Sequence, residues 1–566
     1  MPFKASVFIN GSVDVEDKMK RAICFFIVLC LLSAFCACDA EPSSGGKTGT
    51  SNEIDTAGNS ADQTEKDEED MIEPITFDNL HVSADILTFI AETDKPDGEH
   101  DNDAKSDGAV ISPYYNVSIG DTAVPCYAVR TTFGAHSFAC ADVTSGVFPL
   151  SVKIGSGLDI NSAVVLPESG GATAKKQGKD HVIQVPSHGN YTFVPNGEKE
   201  KAITLFLREK EKFSAPSGYD VVKIPAGKHN DRIEFGKEKR VLYFAKGEHI
   251  LKYGVEFLNN TAVYLENGAY IYADTPAADE EKTIETDWAG MPRWKALFEG
   301  NNVKNVKIYG RGVIDLSRLA WHARSAVRFD ASSDITVEGV TLNNAPEWTM
   351  YFTQCKNIAV EDILLFGYRQ NSDGVCFVDS ANVLCKNCFA RSGDDLFEVK
   401  SMYGACNIEI KDIRFEKCNA WPDKARGLGI ISESKRDMKE IYFTDCSVGY
   451  ASAEWMDALG GVVVILADDA KINDVYFENI EIYSSAKYPV NVTLEESSGA
   501  VVEKVVFRNL DIRGDKEVRL SNESAHGGAI KSVVFEGCKR NGALINGYAA
   551  LDLKLTNVGI SVVTIE

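Results

Sequence analysis

Histidine is scarce: there are nine in 566 residues, and only His322 and His526 lie well inside the repeating part of the chain described below. Catalysis built on histidine is therefore disfavoured. No zinc-ligand spacing, glycine-rich phosphate loop or serine elbow occurs, so the chain calls for no cofactor and no metal. Basic residues are also outnumbered. The 59 Lys and Arg face 83 Asp and Glu, a formal charge of −24, which argues against nucleic acid or an anionic membrane surface as partner. Part of that excess sits in one acidic run near Glu65 to Glu73 and says little about the folded domains. Hydrophobic content of 44% and aromatic content of 10% are those of a globular protein.

The apolar run AICFFIVLCLLSAF is about fourteen residues long, short of the roughly twenty that span a bilayer. It follows Met19-Lys20-Arg21 and leads into Cys36-Ala37-Cys38, the pattern of a secretory signal. Either Met1 or Met19 can be the start. Cys38, preceded by Ala37, resembles the lipidated cysteine of a bacterial lipoprotein. Residues 1–38 are thus expected to be a leader that exports the protein to the periplasm or cell surface and anchors it by lipid to a bacterial membrane. A plainly cleaved signal is the alternative. Of the 14 cysteines, four lie in this leader. Cys126 and Cys140 could pair. The eight from Cys355 to Cys538 lie in strand-like segments and read as small buried side chains. Cys385 and Cys388 form a CxxC, but positions i and i+3 of a strand face opposite sides, which disfavours a metal or redox site.

Residues 39–74 are polar, charged and rich in Gly and Ser, as in a disordered acidic linker. From 75 to 214, short alternating stretches such as YYNVSIG, FPLSVKIG and AITLFLRE are separated by Gly, Asn, Asp and Pro turns. This predicts a β-sandwich domain, with carbohydrate binding, shaping of a cleft or simple packing as its role. From 215 to 566 a loose repeat takes over: DITVEGVTLNNAP, NIAVEDILLFGY, NVLCKNCFARSG, NIEIKDIRFEKCNAW, EIYFTDCSVGYA, DVYFENIEIYS. Its first alternating apolar positions are Ile335, Ile358, Val383, Ile408, Ile441, Val475 and Val505. Steps of 23 to 25 suit a three-strand coil, and steps of 30 to 34 call for loops at a corner. The fold class is therefore all-β, a right-handed parallel β-helix preceded by a β-sandwich. One coil cannot bury its inward face alone, and stacking supplies the core.

Two acidic clusters stand out against this background. Asp373 lies in Asn371-Ser372-Asp373-Gly374, and Asp394 and Asp395 follow Ser392-Gly393. The interval of 21 between Asp373 and Asp394 is close to one coil, so neighbouring rungs about 4.8 Å apart can bring three carboxylates to one face. Crowded carboxylates raise at least one pKa, which separates a proton donor from a base and suits acid/base cleavage of a glycosidic bond. For both Asp394 and Asp395 to face solvent, the corner at Gly393 is expected to leave strand geometry. The competing view is that these are ordinary turn residues. Lys400, on the strand leaving the site, could stabilise a carboxylate. Trp348, Tyr368, Trp421 and Trp455 could stack on a pyranose face.

NSDG, then SGDD, then EVKS resembles the polygalacturonase clan of glycoside hydrolases, as does Thr341 to Trp348 (TLNNAPEW) two coils earlier. The sandwich ahead of the helix is similar in layout to the dextranase and isopullulanase family of that clan. The resemblance implies that Asp394 is the general acid, that Asp373 and Asp395 activate the attacking water, that Asn371 supports the base, and that hydrolysis inverts the anomeric centre without metal. Polygalacturonases carry Gly-His-Gly next. Here Arg426-Gly427-Leu428-Gly429 puts Leu428 at the His position, and no cation stands at their later Arg-Ile-Lys, which reads Gly461 to Leu466. The substrate is thus expected to be a polysaccharide or oligosaccharide other than plain polygalacturonate, with Arg426, Glu433, Lys435 and Arg436 available to rebuild its subsites. A β-helix polysaccharide lyase or epimerase, or a non-catalytic carbohydrate-binding β-helix, is the alternative.

Overall fold

The coil repeat is built on a backbone device. At the start of five consecutive rungs of the first sheet an Asn or Asp takes a left-handed conformation, with φ between 51° and 57° at Asn305, Asp334, Asn357, Asn382 and Asp412. These side chains reach to one another along the stack: Asn382 donates to Asn357 at 3.1 Å and Asn357 to Asp334 at 2.8 Å. Asn and Asp tolerate this conformation better than other side chains, and the alternating apolar residues begin directly after them.

The structure is a computed structural model describing residues 71–77, 108–274, 282–286 and 292–566. The leader with Cys38 and nearly all of the linker lie outside the described residues. The all-β fold expected from sequence is the one observed. Between Ile72 and Glu209 a seven-stranded and a five-stranded sheet pack face to face, with Val117, Val152, Ile183, Phe193 and Leu205 among the residues of their core. From Asp220 onward the chain winds as a right-handed parallel β-helix of three sheets with 15, 13 and 11 strands. Inside it, like residues stack on like: Phe415, Phe443, Phe477, Phe507 and Phe535 follow one another with ring centroids 4.5 to 5.2 Å apart.

The register corrects three readings. Val383 stacks on Ile413, not on Ile408, and Ile413 on Ile441. NIEIKDIRF offers two Asx-apolar frames, and Asp412 at φ 51° marks the second as the rung. Cys126 pairs opposite Ala139, so the adjacent Cys140 faces the other side of the sheet. The two thiols sit in different cores and do not pair. Cys385 and Cys388 do not face apart, because a turn intervenes after Lys386. Both thiols point into the helix core, 3.8 Å from each other, and Cys418 lies 3.8 Å from Cys385. Each of the three donates to a sulfur or carbonyl partner there.

The sandwich rests on the second sheet of the helix. Tyr127, Phe138 and Phe206 from the sandwich share a core with Tyr270, Phe366, Phe389 and Trp421 from the coils. Buried ion pairs border it, Arg311 to Asp142 at 2.8 Å and Arg391 to Asp423 at 3.2 Å. The sandwich also braces one turn of the helix: Thr132 donates to the Tyr368 carbonyl at 3.1 Å, and the Arg130 guanidinium covers the Tyr368 ring at 4.0 Å. That turn leads directly to Asn371.

Candidate active site

Four consecutive rungs of the third sheet carry the acidic clusters: Met350–Thr353, Val375–Val378, Phe397–Ser401 and Arg426–Ser434. Met350, Val375, Phe397 and Leu428 are in register and point into the core. Two positions earlier on each rung stand Trp348, Asp373, Asp395 and Arg426. The true step from Asp373 down to its stacked neighbour is therefore 22, and that neighbour is Asp395. The Gly374 amide donates to the Asp395 carbonyl at 2.7 Å. Asp394 precedes the stack and leans into it. One oxygen each of Asp373, Asp394 and Asp395 lies within 4.8 Å of the others.

Gly393 serves here through its missing side chain. The strand ends at Ser392 and Gly393 lies in a bend, so the corner leaves strand geometry as expected, and it does so without a positive φ. A Cβ at this site would stand 2.5 Å from the Arg369 carbonyl oxygen and 2.7 Å from that of Tyr368. The glycine lets two coils close on each other. Asn371, at φ 60°, then donates its amide to Asp394 Oδ2 at 2.9 Å, and the Asp395 amide donates to Asp394 Oδ1 at 3.0 Å.

The three acids line an open cleft of about 500 Å³, together with Asn371, Trp348, Lys400, Arg426 and Glu433. These eight of the residues expected at the site share one cleft. Arg426 holds Asp395 twice, through its amide at 3.0 Å and its guanidinium at 2.9 Å. Leu428 faces the core, and from that rung Arg426, Ser432 and Glu433 reach the cleft. Lys400 Nζ lies 3.4 Å from Asp373, 3.1 Å from Glu398 and 3.7 Å from Glu433, and covers the Trp348 ring at 4.4 Å. Asp373 Oδ1 is buried with no hydrogen-bond partner. Burial, then the Asp394 charge, push the Asp373 carboxyl well above its usual range. Burial and Asp395 push Asp394 up to about 6. The cluster accordingly holds a proton near neutrality. The spacing of the acids would suit a cation, but Lys400 and Arg426 already place positive charge against them.

Several aromatic and basic residues are placed differently from the sequence reading. Trp421 and Tyr368 are buried under the sandwich and cannot meet a ligand. Trp455 is 68% exposed, and its indole donates to the Lys424 carbonyl at 2.9 Å, two residues from Arg426. Arg436 pairs with Asp379 at 3.1 Å and does not line the cleft. His322, set aside on sequence, does line it and meets Asn371 Oδ1 at 3.1 Å. Glu347, Tyr351 and Arg328 were also missed, as was Glu398, buried beneath Lys400. In Phe397-Glu398-Val399-Lys400 the polar residues alternate with core residues, so alternation along the strand that carries Lys400 could have found Glu398.

The description Glycosyl hydrolases family 28 matches residues 277–514. A polygalacturonase of Juniperus ashei is 23% identical over 200 residues, covering 33% of this chain and 37% of that protein. A probable exopolygalacturonase B of Aspergillus niger is 23% identical over 322 residues, covering 50% of this chain and 66% of the relative. The chain therefore spans between about a third and two thirds of the length of these relatives. Dex49A from Penicillium minioluteum superposes with a TM-score of 0.51 at 12% identity, over 82% of this chain and 94% of that one, a likeness of fold.

Proposed function

We propose that the chain is a glycoside hydrolase of the polygalacturonase-like clan that cleaves glycosidic bonds in a polysaccharide or oligosaccharide with Asp373, Asp394 and Asp395. The observation that carries this reading is the meeting of three carboxylates from two successive coils within 4.8 Å in an open cleft. Asp394, raised to about 6, is the general acid that protonates the leaving oxygen. Asp395, oriented by Arg426, and Asp373, with one oxygen left unpartnered, hold and activate the attacking water. Asn371 keeps Asp394 in place through its amide. Direct attack by that water inverts the anomeric centre. The close approach of the acids favours a second reading, because inverting sites commonly separate their two carboxyls by about 6.5–9.5 Å and retaining sites by about 5–5.5 Å. Proton NMR of the first product anomer decides between them.

The charge of the cleft supports a neutral glycan over polygalacturonate. Glu347, Asp373, Asp394, Asp395 and Glu433 line it against Arg328, Lys400 and Arg426, and Arg328 is engaged by Asp330 at 2.6 Å. Acids there outnumber or match the cations, so a uronate carboxylate gains no net attraction. The leader and Cys38 support export and lipid anchoring at a bacterial membrane. The test is a screen of neutral α-glucans, galactans and pectic polymers for new reducing ends, with Asp394→Asn as control. An unsaturated product absorbing in the ultraviolet would favour the lyase alternative. Binding without any cleavage would favour a carbohydrate-binding β-helix.

A further inference from the structure

Glu398 occupies an outward position on its rung, between Phe397 and Val399, which face the core. Outward residues of this sheet look into the cleft, yet Glu398 is 0% exposed. A carboxylate sealed from water costs several kcal/mol unless it is answered by charge and hydrogen bonds. Its answers come from two sides. One coil earlier the in-register residue is Cys376, whose thiol donates to Glu398 Oε1. Two residues along its own rung, the Lys400 ammonium lies 3.1 Å from Oε2. On the following rung the in-register residue is Gly429, which brings no charge, and Arg426 and Glu433 flank it there. Cys376 belongs to an apolar cluster with Tyr351, Val378, Trp348 and Met402, which keeps this layer of the cleft floor dry.

The single ammonium of Lys400 therefore faces three carboxylates: Glu398 below, Asp373 beside and Glu433 at the rim. Whatever charge Glu398 takes is charge that Asp373 does not receive. We propose that Glu398 is a positioning residue for the acid cluster: it pins Lys400 in a buried ion pair and so governs how readily Asp373 gives up its proton. This rests on the reading of Asp373 as part of the hydrolytic site. The electrostatics run in the same sense, since burial raises Glu398 to about 7, and its charge is among the causes that raise Asp373 while Lys400 lowers it.

Glu398→Gln keeps the size and removes the charge. Lys400 then answers Asp373 and Glu433 alone, and Asp373 ionises at lower pH. The acidic limb of the kcat/KM profile, where the base must lose its proton, is expected to move down by about one pH unit, with KM changed less than twofold. Glu398→Ala should move it the same way. A limb that stays in place, or moves up, while the variant melts like wild type overturns the proposal. An infrared titration of protonated carboxyls supplies a readout independent of activity. In wild type the buried carboxyls should ionise above the ordinary carboxylate range, and in Glu398→Gln the Asp373 carboxyl should ionise at lower pH than in wild type. If neither variant folds, the wild-type titration decides, because buried acids that all ionise near pH 4 overturn the proposal. If no glycan is cleaved but the infrared shift appears, the hydrolytic reading fails and the Glu398–Lys400–Asp373 coupling stands.

Discussion

Gly393→Ala tests the close approach that builds the site. The added Cβ would stand 2.5 Å from the Arg369 carbonyl oxygen, 2.7 Å from the Tyr368 oxygen and 2.8 Å from the Tyr368 carbonyl carbon. All three are backbone atoms, so no side chain can swing away. Reaching a tolerable 3.0 to 3.4 Å requires the two coils to part by roughly 0.5 to 0.9 Å. That movement falls on the turn carrying Asn371, whose amide holds Asp394 at 2.9 Å. Overpacking of this kind costs about 1–3 kcal/mol in stability. A misplacement of 1 Å in a reacting group costs about 100-fold in rate, so the expected loss in kcat is about 10- to 100-fold in a protein that still folds. Gly404→Ala is the control, because nothing lies within 4 Å of the Cβ it would add. Reducing-end assays on a cleaved glycan, beside melting curves for both variants, make the comparison. A Gly393→Ala enzyme with wild-type kcat would refute the reasoning, as would equal losses in the two variants.

Asp394→Asn removes the proton donor, and kcat is expected to fall by about 10²–10⁴-fold with little change in melting temperature. A donor works while protonated, so in wild type activity is present below, and lost as pH rises through, about 6; a pH–kcat/KM profile of the free enzyme checks the alkaline limb. The raised Glu398 adds a pH-dependent cost to folding. Its stability contribution is complete below the ordinary Glu range and lost as pH rises through about 7. Glu398→Gln should therefore melt higher relative to wild type at pH 8 than at pH 4, as calorimetry at the two values would reveal. Trp421→Ala, at the sandwich contact, should cost about 3–5 kcal/mol and leave KM unchanged. A KM that rises with it would place the residue at the cleft after all.

The fold was legible because a rung announces itself twice, in an Asn or Asp that accepts left-handed backbone and in the alternating apolar residues after it. Where two frames satisfied both signals, at Ile408 and Ile413, sequence alone chose wrongly, since only the stacking partners separate them. The acids were legible because DG and GDD recur at nearly one coil. What stayed hidden was orientation across coils. Arg426 stands beneath Asp395 only because the intervening loop from 402 to 409 is absorbed before the next rung. Trp421 looked like a sugar platform because it reads as a turn residue near the acidic coils; it stands in a strand instead, and the sandwich that covers that face is more than 200 residues away in sequence. Glu398 passed unnoticed because an acid in a strand ordinarily faces water, and its burial depends on neighbours in other coils.

The central claim is that Asp373, Asp394 and Asp395 act together on a glycosidic bond. The most direct measurement is reducing-end release from a panel of neutral and acidic glycans by wild type and by Asp394→Asn at matched concentration. The account predicts cleavage of at least one neutral glycan by wild type and a loss of at least about 100-fold in the variant. Equal release by the two proteins would contradict it, and so would a complete absence of cleavage by correctly folded wild type.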